Sequence, residues 1–306
     1  MSRPAWCANL PRPVYATLER VNVPTDWFQV YRVGDGVYAI YEPHQFQEVI
    51  SYLILGSTRA LLFDTGLGIG NIRAVVKHLT ALPIVVLNSH THYDHTGGNA
   101  AFDSVLAVNA PYTRENSLGF RHELVKGEVA PEAFCAATPA GFEPSKYAVK
   151  KWTPTQLISD NEQIDLGGRR LRVLQVPGHT PDATALLDST AGYLWTGDSF
   201  YEGPIWLFVD ETDWAAYARS VDRMAALVPS LTRLFPSHNV ATSDPKLLLQ
   251  LQGAVQEVRS GQAKPTQGNG EQVTFDFGAF SFLTSKRALA GPSPDAVGGS
   301  GLSTPK

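Results

Sequence analysis

Three histidines and an aspartate lie within one six-residue stretch, His90-Thr91-His92-Tyr93-Asp94-His95. The stretch follows Ile84–Leu87, a short β-branched apolar run that predicts a buried strand. Because residues two apart on an extended backbone point the same way, His90 and His92 can hold one metal ion. Asp94 continues that alternation, whereas His95 breaks it. Imidazole and carboxylate groups suit zinc and its neighbours in the first transition row. The spacing therefore predicts two adjacent metal positions.

Three later stretches carry the same kinds of side chain, each where an apolar strand ends. They place His179 after Leu171–Val176, Asp198 after Tyr193–Trp195, and His238 after Leu231–Phe235. Taken singly, each residue has an ordinary structural explanation, and an aspartate is common in turns. Taken together with the first stretch, they complete the ligand sets of two metal ions.

The remaining pattern describes the elements that must position these residues. Predicted hairpins cover Val30–Tyr41, Val49–Phe63, Gln163–Val176 and Val273–Leu283, a strand covers Val105–Asn109, and helices cover Asn71–Leu82, Asp213–Val228 and Asp244–Val258. The glycine-rich turn that starts at Asp64 lacks the Lys-Ser/Thr ending of a phosphate-binding loop, so a structural turn is expected. From this turn, Asp64 could orient a metal-binding histidine.

Each half of the chain gives several strands and then helices, without a strict β-α-β alternation. This order favours an α/β fold in which two mixed sheets pack face to face with helices outside. We expect one domain over residues 1–289 and a disordered Gly/Pro/Ser-rich tail over 290–306. The aromatic-rich segment 111–158 has two interpretations, a lid over the site or an insert packed on the body.

Length, composition and charge limit the class of protein. The chain has 306 residues, 43% hydrophobic and 18% charged, with a net charge of −4, which gives no reason to expect nucleic-acid binding. No apolar run has the length of a membrane span, and the first residues lack a secretory signal. Cys7 and Cys135 show no paired spacing, so no disulfide is expected. We therefore expect a cytoplasmic protein, with a homo-oligomer neither indicated nor excluded.

The set of motifs resembles the metallo-β-lactamase superfamily over about residues 30–285. The shared pattern is H-x-H-x-D-H, then G-H-T, then T-G-D, then a late S-H. The resemblance implies an αβ/βα sandwich with the site at one edge between the sheets. It also implies a first metal on His90, His92 and His179, a second on Asp94, His95 and His238, and Asp198 bridging the two.

Several branches of that superfamily differ from this chain. Secreted β-lactamases usually lack the bridging aspartate, and the flavodiiron branch has glutamate at the position of His92. The nuclease branches carry basic arms or further domains, for which the sequence gives no sign. The closest patterns are those of glyoxalase II-like and acyl-CoA thioesterases and of the N-acyl-homoserine lactonases. Tyr201, three residues after Asp198, is shared with the lactonases but does not separate the two groups.

The resemblance implies a hydrolase in which two Zn²⁺ ions, or Mn²⁺, Co²⁺ or Fe²⁺, bind a bridging hydroxide that attacks a thioester or ester/lactone carbonyl. Asp94 would orient the hydroxide, and Tyr201 would donate a hydrogen bond to the oxyanion or serve only in packing. Trp206 and Phe208, with segment 111–158, would line the pocket of a small acyl substrate. The alternatives are a mononuclear iron persulfide dioxygenase, β-lactamase activity, and a ligand-binding module without catalysis. The complete second ligand set, which includes His238, favours the dinuclear hydrolase.

Overall fold

The computed structural model describes residues 4–290 of the chain. Its strands, in chain order, are β1 (Glu19–Val21), β2 (Gln29–Gly34), β3 (Val37–Tyr41), β4 (Ile50–Leu55), β5 (Ala60–Phe63), β6 (Ile84–Leu87), β7 (Val105–Val108), β8 (Gln156–Ile158), β9 (Gln163–Asp165), β10 (Arg170–Gln175), β11 (Thr184–Asp188), β12 (Tyr193–Gly197), β13 (Gly203–Leu207), β14 (Arg233–Pro236), β15 (Gln267–Asn269), β16 (Gln272–Asp276) and β17 (Phe280–Ser285). Its α-helices are α1 (Ile72–Leu79), α2 (Tyr93–Thr96), α3 (Pro111–Asn116), α4 (His122–Val125), α5 (Trp214–Ala225), α6 (Leu247–Ser260) and α7 (Lys286–Ala290). Short 3₁₀ helices cover Ala5–Asn9, Pro13–Thr17, Asn99–Ala101, Lys126–Val129, Pro131–Ala133, Pro144–Lys146 and Val228–Ser230.

The strands form three sheets. The first contains β1 to β8 in sequence order, antiparallel up to β5 and parallel from β5 to β8. The second has the order β14-β12-β11-β10-β9, and the third has the order β13-β17-β16-β15. The expected α/β sandwich of two mixed sheets is confirmed. The third sheet was not predicted, because β13 pairs in parallel with β17, which lies more than seventy residues further along the chain.

The core between the first two sheets follows from strand alternation. On β4, Ile50, Tyr52 and Ile54 face the second sheet, while Leu53 faces the helices on the other side. Across the interface, the Tyr52 ring lies 5.5 Å from Phe235, edge to face. Pairs of this geometry add stability beyond the area that they bury. This interface fixes the two sheets whose edges carry the site.

Helices cover the outer faces of both sheets, as predicted. α1 begins after Asn71, whose side chain accepts a hydrogen bond from the Ala74 amide, so the predicted cap is confirmed. Asp213 caps α5 in the same way through the Ala216 amide. α6 begins at Leu247, later than predicted, because Asp244 accepts from the Lys246 amide and caps the turn before the helix. None of the helices within residues 4–290 is long and apolar enough to cross a membrane.

Segment 111–158 contributes to the outer face of the first sheet rather than standing apart from it. Tyr147, Val149 and Trp152 are buried in the same cluster as α1, and the Tyr147 hydroxyl donates to the Leu67 carbonyl at 2.8 Å. The segment ends in β8, which pairs with β7. These contacts are those of a packed insert; a lid function for the segment stays a prediction. The expected tail begins inside α7 at Ala290, and its remainder, 291–306, lies outside the described residues.

The N-terminal segment corrects one expectation. Cys7 and Cys135 form a disulfide, although they are separated by 128 residues. Local spacing gave no sign of this bond, because the fold brings the two cysteines together. The N-terminal segment is held on the body by the Trp6 indole, which donates to the Glu132 carbonyl, and by Tyr15, which stacks on Tyr41 at 4.3 Å. Disulfides are typical of oxidising compartments. The cytoplasmic location therefore stays a prediction, and this bond counts against it.

Candidate metal centre

The seven predicted ligands come together at one edge of the first two sheets. β11 runs antiparallel to β10 and β12, and β14 runs parallel to β12, so β10, β12 and β14 end at the same edge. The chain leaves these strands toward His179, Asp198 and His238, and it leaves β6 toward His90 and α2. Six of the seven side chains are buried and His92 is half-buried.

The backbone of the central motif differs from the expected extended strand. His92 is still extended, but Tyr93–Thr96 forms the helical turn α2. The expectation that Asp94 continues a strand alternation is therefore wrong. Instead, the helical turn directs Asp94 and His95 toward a second group of side chains, while the rings of His90 and His92 meet in the first group.

Three imidazole nitrogens converge at the first metal position. His90 Nε2 and His92 Nδ1 lie 3.0 Å apart, and His179 Nε2 lies 3.2 Å from each of them. Tetrahedral zinc with Zn–N bonds of about 2.0–2.1 Å would place its nitrogen ligands about 3.3–3.4 Å apart. The observed spacing is close to that value, and the three rings have the geometry of a metal-binding face.

A second group of ligand atoms lies beside the first. Nε2 of His95 is 3.3 Å from Asp94 Oδ2, and Nε2 of His238 is 3.7 Å from the same oxygen. Asp198 lies between the two groups: its Oδ2 is 3.1 Å from His238 Nε2 and 3.6 Å from His179 Nε2. A carboxylate oxygen that reaches both groups can bridge two ions; the bridging role of Asp198 stays a prediction.

Two buried atoms in this centre lack a hydrogen-bond partner. They are Nε2 of His95 and Oδ1 of Asp198, which lie 3.4 Å apart. Leaving a buried polar atom unpaired costs about 1–3 kcal/mol, more when the group is charged. A cation between them would accept the nitrogen lone pair and neutralise the carboxylate. The two unpaired atoms and the set of histidine and aspartate donors therefore fit a metal ion. Ligands of these types suit zinc.

The outer nitrogen of each histidine is held by a hydrogen bond, which fixes the nitrogen that faces the centre of its group. In the first group, His179 Nδ1 donates to the Trp206 carbonyl at 2.7 Å. His92 is reversed: its Nε2 lies 3.0 Å from Glu211 Oε1, so Nδ1 faces inward. Hydrogen bonds of this kind orient metal ligands and raise their basicity.

The second group is held in the same manner. His95 Nδ1 lies 3.0 Å from Asp64 Oδ2, as predicted for an aspartate that orients a ligand. The other Asp64 oxygen accepts from the Ser89 amide at 2.7 Å, and Ser237 Oγ donates to Oδ2 at 3.0 Å. His238 Nδ1 lies 2.6 Å from the Gln47 carbonyl. Both sheets thus contribute to the orientation of the second group.

The pKa values of the imidazoles differ within and between the two groups, since Glu211 outweighs burial and raises the pKa of His92 in the first group. In the first group, burial lowers the pKa of His90 well below its usual range and that of His179 to about 4. Both rings are therefore neutral, as metal ligands must be. In the second group, burial would lower the pKa of His95, but Asp94, Asp198 and Asp64 outweigh it and raise the pKa well above its usual range. This surplus of carboxylates attracts a cation.

The residues predicted to contact substrate lie on or near β13. The Tyr201 ring is 5.0 Å from the His238 ring, but its hydroxyl donates to the Pro204 carbonyl at 2.6 Å and accepts from the Trp206 amide at 3.2 Å. The catalytic role of Tyr201 therefore stays a prediction, and it requires the bond to Pro204 to open. The rings of Trp206 and Phe208 are half-buried and 5.4 Å apart, next to the carbonyl that holds His179.

Two carboxylates in this region were not predicted. Glu211 contacts His92, and Asp182 accepts hydrogen bonds from Thr91 Oγ1 at 2.6 Å and from Thr180 Oγ1 at 2.8 Å. Asp182 lies two residues after the G-H-T stretch, and this proximity to His179 is the one signal in the sequence that could have indicated it. Glu211 lies 119 positions from His92, and no local pattern connects them.

Comparisons with known proteins agree with this geometry. A family model described as the metallo-beta-lactamase superfamily matches residues 47–238. Acyl-coenzyme A thioesterase MBLAC2 of Bos taurus is 29% identical over 213 residues, which cover 64% of this chain and 73% of the relative. Hydroxyacylglutathione hydrolase of Idiomarina loihiensis is 25% identical over 167 residues, which cover 55% of this chain and 51% of the relative.

Solved structures share the fold. The sec-alkylsulfatase Pisa1 from Pseudomonas sp. aligns with a TM-score of 0.60 at 16% identity, over 76% of this chain and 42% of that one. An archaeal metallo-beta-lactamase superfamily protein from Sulfolobus tokodaii aligns with a TM-score of 0.51 at 19% identity, over 80% and 92%. The family match covers more than half of the chain. It includes all seven residues of the candidate centre, and His238 is its last position. The chain belongs to the metallo-β-lactamase superfamily, a superfamily of metal-dependent hydrolases.

Proposed function

We propose that the protein is a dinuclear zinc-dependent hydrolase that cleaves a thioester or an ester/lactone bond in a small acyl substrate. The single observation that carries this proposal is the position of Asp198, which lies within reach of both ligand groups through one oxygen. When bound, two such ions would supply an ionised water as nucleophile at neutral pH and an electrophile for the carbonyl oxygen.

The side chains of the chain have distinct roles in this proposal. His90, His92 and His179 would hold the first ion, and Asp94, His95 and His238 the second. Asp94 would also orient the attacking hydroxide. The half-buried pair Trp206 and Phe208 beside the first ion would contact the acyl group.

An ester-type bond is favoured over an amide on chemical grounds. Thiolates and activated alkoxides leave more readily than amines, so a dedicated acid is not needed to protonate the leaving group. Both curated relatives carry thioester-related names, an acyl-coenzyme A thioesterase and a hydroxyacylglutathione hydrolase. These names support the same substrate class for this chain without specifying the acyl group or the thiol.

The complete second ligand set favours two ions over a single iron. A mononuclear persulfide dioxygenase would require His90, His92, His179 and Asp198, and would leave Asp94, His95 and His238 without a metal. Here these last three ligand atoms lie together and are buried. Burial of two charged or polar rings and a carboxylate without a cation is costly. Manganese, cobalt or iron in the two positions remains compatible with the same ligands.

The test combines metal analysis with a panel of substrates. We expect about two zinc ions per chain, activity lost with a chelator, and activity restored by zinc, manganese or cobalt. The panel comprises an acyl-CoA, S-lactoylglutathione, an acyl-homoserine lactone, a penicillin and bis(p-nitrophenyl) phosphate. One of the first three should exceed the last two by at least roughly a hundredfold in kcat/KM, about 2.7 kcal/mol in transition-state stabilisation.

Three outcomes would reject the proposal. A penicillin or the phosphodiester at the head of the ranking would contradict the substrate class. One iron per chain with oxygen consumption would contradict the dinuclear hydrolase. Lack of turnover with every member of the panel by the zinc-loaded protein would favour the module without catalysis.

A further inference from the structure

We propose that helix α3, at the start of segment 111–158, is a positioning element for the first metal position and acts through two carboxylates that are not ligands, Glu211 and Asp182. The inference rests on the proposed metal binding and goes beyond it. It assigns a function to a segment that was expected to act as a lid or a plain insert, and it concerns the first position alone.

The first connection runs from Tyr112 through Glu211 to His92. The Tyr112 hydroxyl donates to Glu211 Oε1 at 2.6 Å, and the same oxygen lies 3.0 Å from His92 Nε2. One carboxylate oxygen therefore accepts from the helix and from the ligand together. Because His92 must present Nδ1 inward, the position of this oxygen decides the orientation of the ring.

The second connection runs through Asp182, which is buried. Its Oδ2 accepts from Thr113 Oγ1 at 2.8 Å and from Thr91 Oγ1 at 2.6 Å, and its Oδ1 accepts from Thr180 Oγ1 at 2.8 Å. Thr91 lies between the ligands His90 and His92, and Thr180 follows His179. Hydrogen bonds to a buried carboxylate are strong, so Asp182 ties both ligand-bearing loops to α3.

The helix itself is fixed to the body of the protein. Asn116, one turn after Tyr112, donates to Thr91 Oγ1 at 3.2 Å, and the Ser117 carbonyl accepts from the Trp152 amide at 3.0 Å. Thr113 and Asn116 are buried. A short helix whose C-terminal end is held by these contacts can keep two neighbouring hydroxyls, those of Tyr112 and Thr113, in register with the two carboxylates.

The second metal position has other supports. The outer nitrogens of His95 and His238 contact Asp64 and the Gln47 carbonyl, which belong to the first sheet and its loops. The two positions are therefore oriented by different parts of the chain. Loss of the α3 hydroxyls should weaken the first position and leave the second unchanged, a difference that general destabilisation would not produce.

The experiment removes single hydroxyl groups from α3. The variants are Tyr112→Phe, Thr113→Val and the pair, with Ser117→Ala as the matched control, because the Ser117 hydroxyl bonds only to the Arg114 carbonyl of its own helix. Zinc affinity is measured by chelator competition in His238→Ala and His179→Ala backgrounds, which retain the first and second positions respectively. Cobalt absorption spectra of the first position provide a readout that is independent of activity.

We expect the double variant to bind zinc about tenfold more weakly at the first position, the lower end of the range for partners of metal ligands. The cobalt spectrum of that position should change, while the second position and the Ser117→Ala control should stay within about twofold. In a Glu211→Gln background, Tyr112→Phe should have little further effect, because the two residues act in one chain.

The outcomes separate this inference from the proposed function. If the unmodified protein binds no zinc, the metal centre itself is wrong and the inference fails with it. If it binds two ions and the hydroxyl variants leave the first position unchanged, or weaken both positions equally, only the role of α3 is overturned. If the double variant folds poorly, the same measurements on the two single variants test the role of α3. The comparison of Tyr112→Phe in the parent and in the Glu211→Gln background tests it as well.

Discussion

Nε2 of His95 and Oδ1 of Asp198 lie 3.4 Å apart in the protein interior, and each lacks a hydrogen-bond partner. A buried nitrogen and a buried carboxylate oxygen that face each other without a shared bond indicate a space for a third, positively charged atom. Burial would raise the pKa of Asp198, but His238 and His95 hold it well below its usual range, so the carboxylate is ionised. The centre is therefore prepared for a cation before any ion arrives.

The first prediction concerns this carboxylate. Asp198→Asn removes the charge and offers one oxygen instead of two, so we expect loss of the second ion and a fall in kcat/KM of at least about a hundredfold. Metal content per chain and the rate on the best substrate are the measurements. Asp188→Asn is the control, because Asp188, the last residue of β11, is also buried but pairs with Arg169, which precedes β10. Two ions and full activity in Asp198→Asn would contradict the bridging role.

The sequence brought the residues of the candidate centre together because each stretch that carries them begins where a strand ends. A strand that ends in a short loop carries few degrees of freedom, so the side chain that follows it has a nearly fixed place at the sheet edge. His179 and Asp198 could be assigned to one centre on that basis, although 19 residues separate them. Residues whose partners lie on distant loops could not, because a window of sequence contains no information on which loops meet. Glu211, which reaches His92 across 119 positions, is the clearest case.

The third sheet and the N-terminal segment were missed for the same reason. β13 pairs in parallel with β17, and Cys7 bonds to Cys135, so both contacts join parts of the chain that are far apart in sequence. The local pattern of β17 predicted a hairpin with β16 correctly, since that contact spans a short turn. Contacts that close long loops depend on the whole fold, and residue types alone do not encode them.

The second prediction concerns Glu42, which is buried beside the site. Burial raises its pKa to about 7 from an ordinary 4.5. Between those pH values the folded state binds more protons than the unfolded state. The contribution of Glu42 to the free energy of unfolding is therefore fully present below about pH 4.5 and is lost as the pH rises through about 7. The loss amounts to roughly 3 kcal/mol in the free energy of unfolding.

Glu42→Gln tests this sign. The variant cannot ionise at this position. The difference between its free energy of unfolding and that of the parent protein should therefore rise by roughly 3 kcal/mol in favour of the variant between pH 4.5 and 8. Urea unfolding of both proteins, in chelator so that metal loss plays no part, provides the comparison. A difference that stays constant over this range would show that Glu42 titrates normally.

The third prediction concerns the disulfide between Cys7 and Cys135, which closes a loop across 128 residues. A cross-link over so long a loop restricts the unfolded chain strongly, and such bonds contribute about 2–5 kcal/mol. We expect a reductant to lower the free energy of unfolding by that amount. The Cys7→Ser/Cys135→Ser variant is the control. Its free energy of unfolding should equal that of the reduced protein and should not change with the reductant. Two thiols that react in denaturant without reductant would mean that the bond does not form.

The last prediction concerns Arg12, which connects the N-terminal segment to the loop of His238. Its guanidinium donates to Glu48 at 2.8 and 2.6 Å and to Asn239 Oδ1 at 2.7 Å. The Glu48 side chain is only 4% exposed, and its backbone carbonyl accepts from the Asn239 amide. Asn239 follows His238 directly, so this ion pair fixes the chain next to a predicted ligand of the second position.

Arg12→Ala should therefore act on stability and on the metal together. It leaves a buried carboxylate without its partner, which costs about 3–5 kcal/mol, and it should weaken the second metal about tenfold by freeing the loop of His238. Arg32→Ala is the matched control: Arg32 and Glu19 form an ion pair with side chains 45% and 64% exposed, and exposed pairs contribute little to stability. Equal losses in the two variants, in urea unfolding and in zinc affinity, would show that the Arg12 pair has no special role. A loss of stability without any change at the second metal would separate the ion pair from the site.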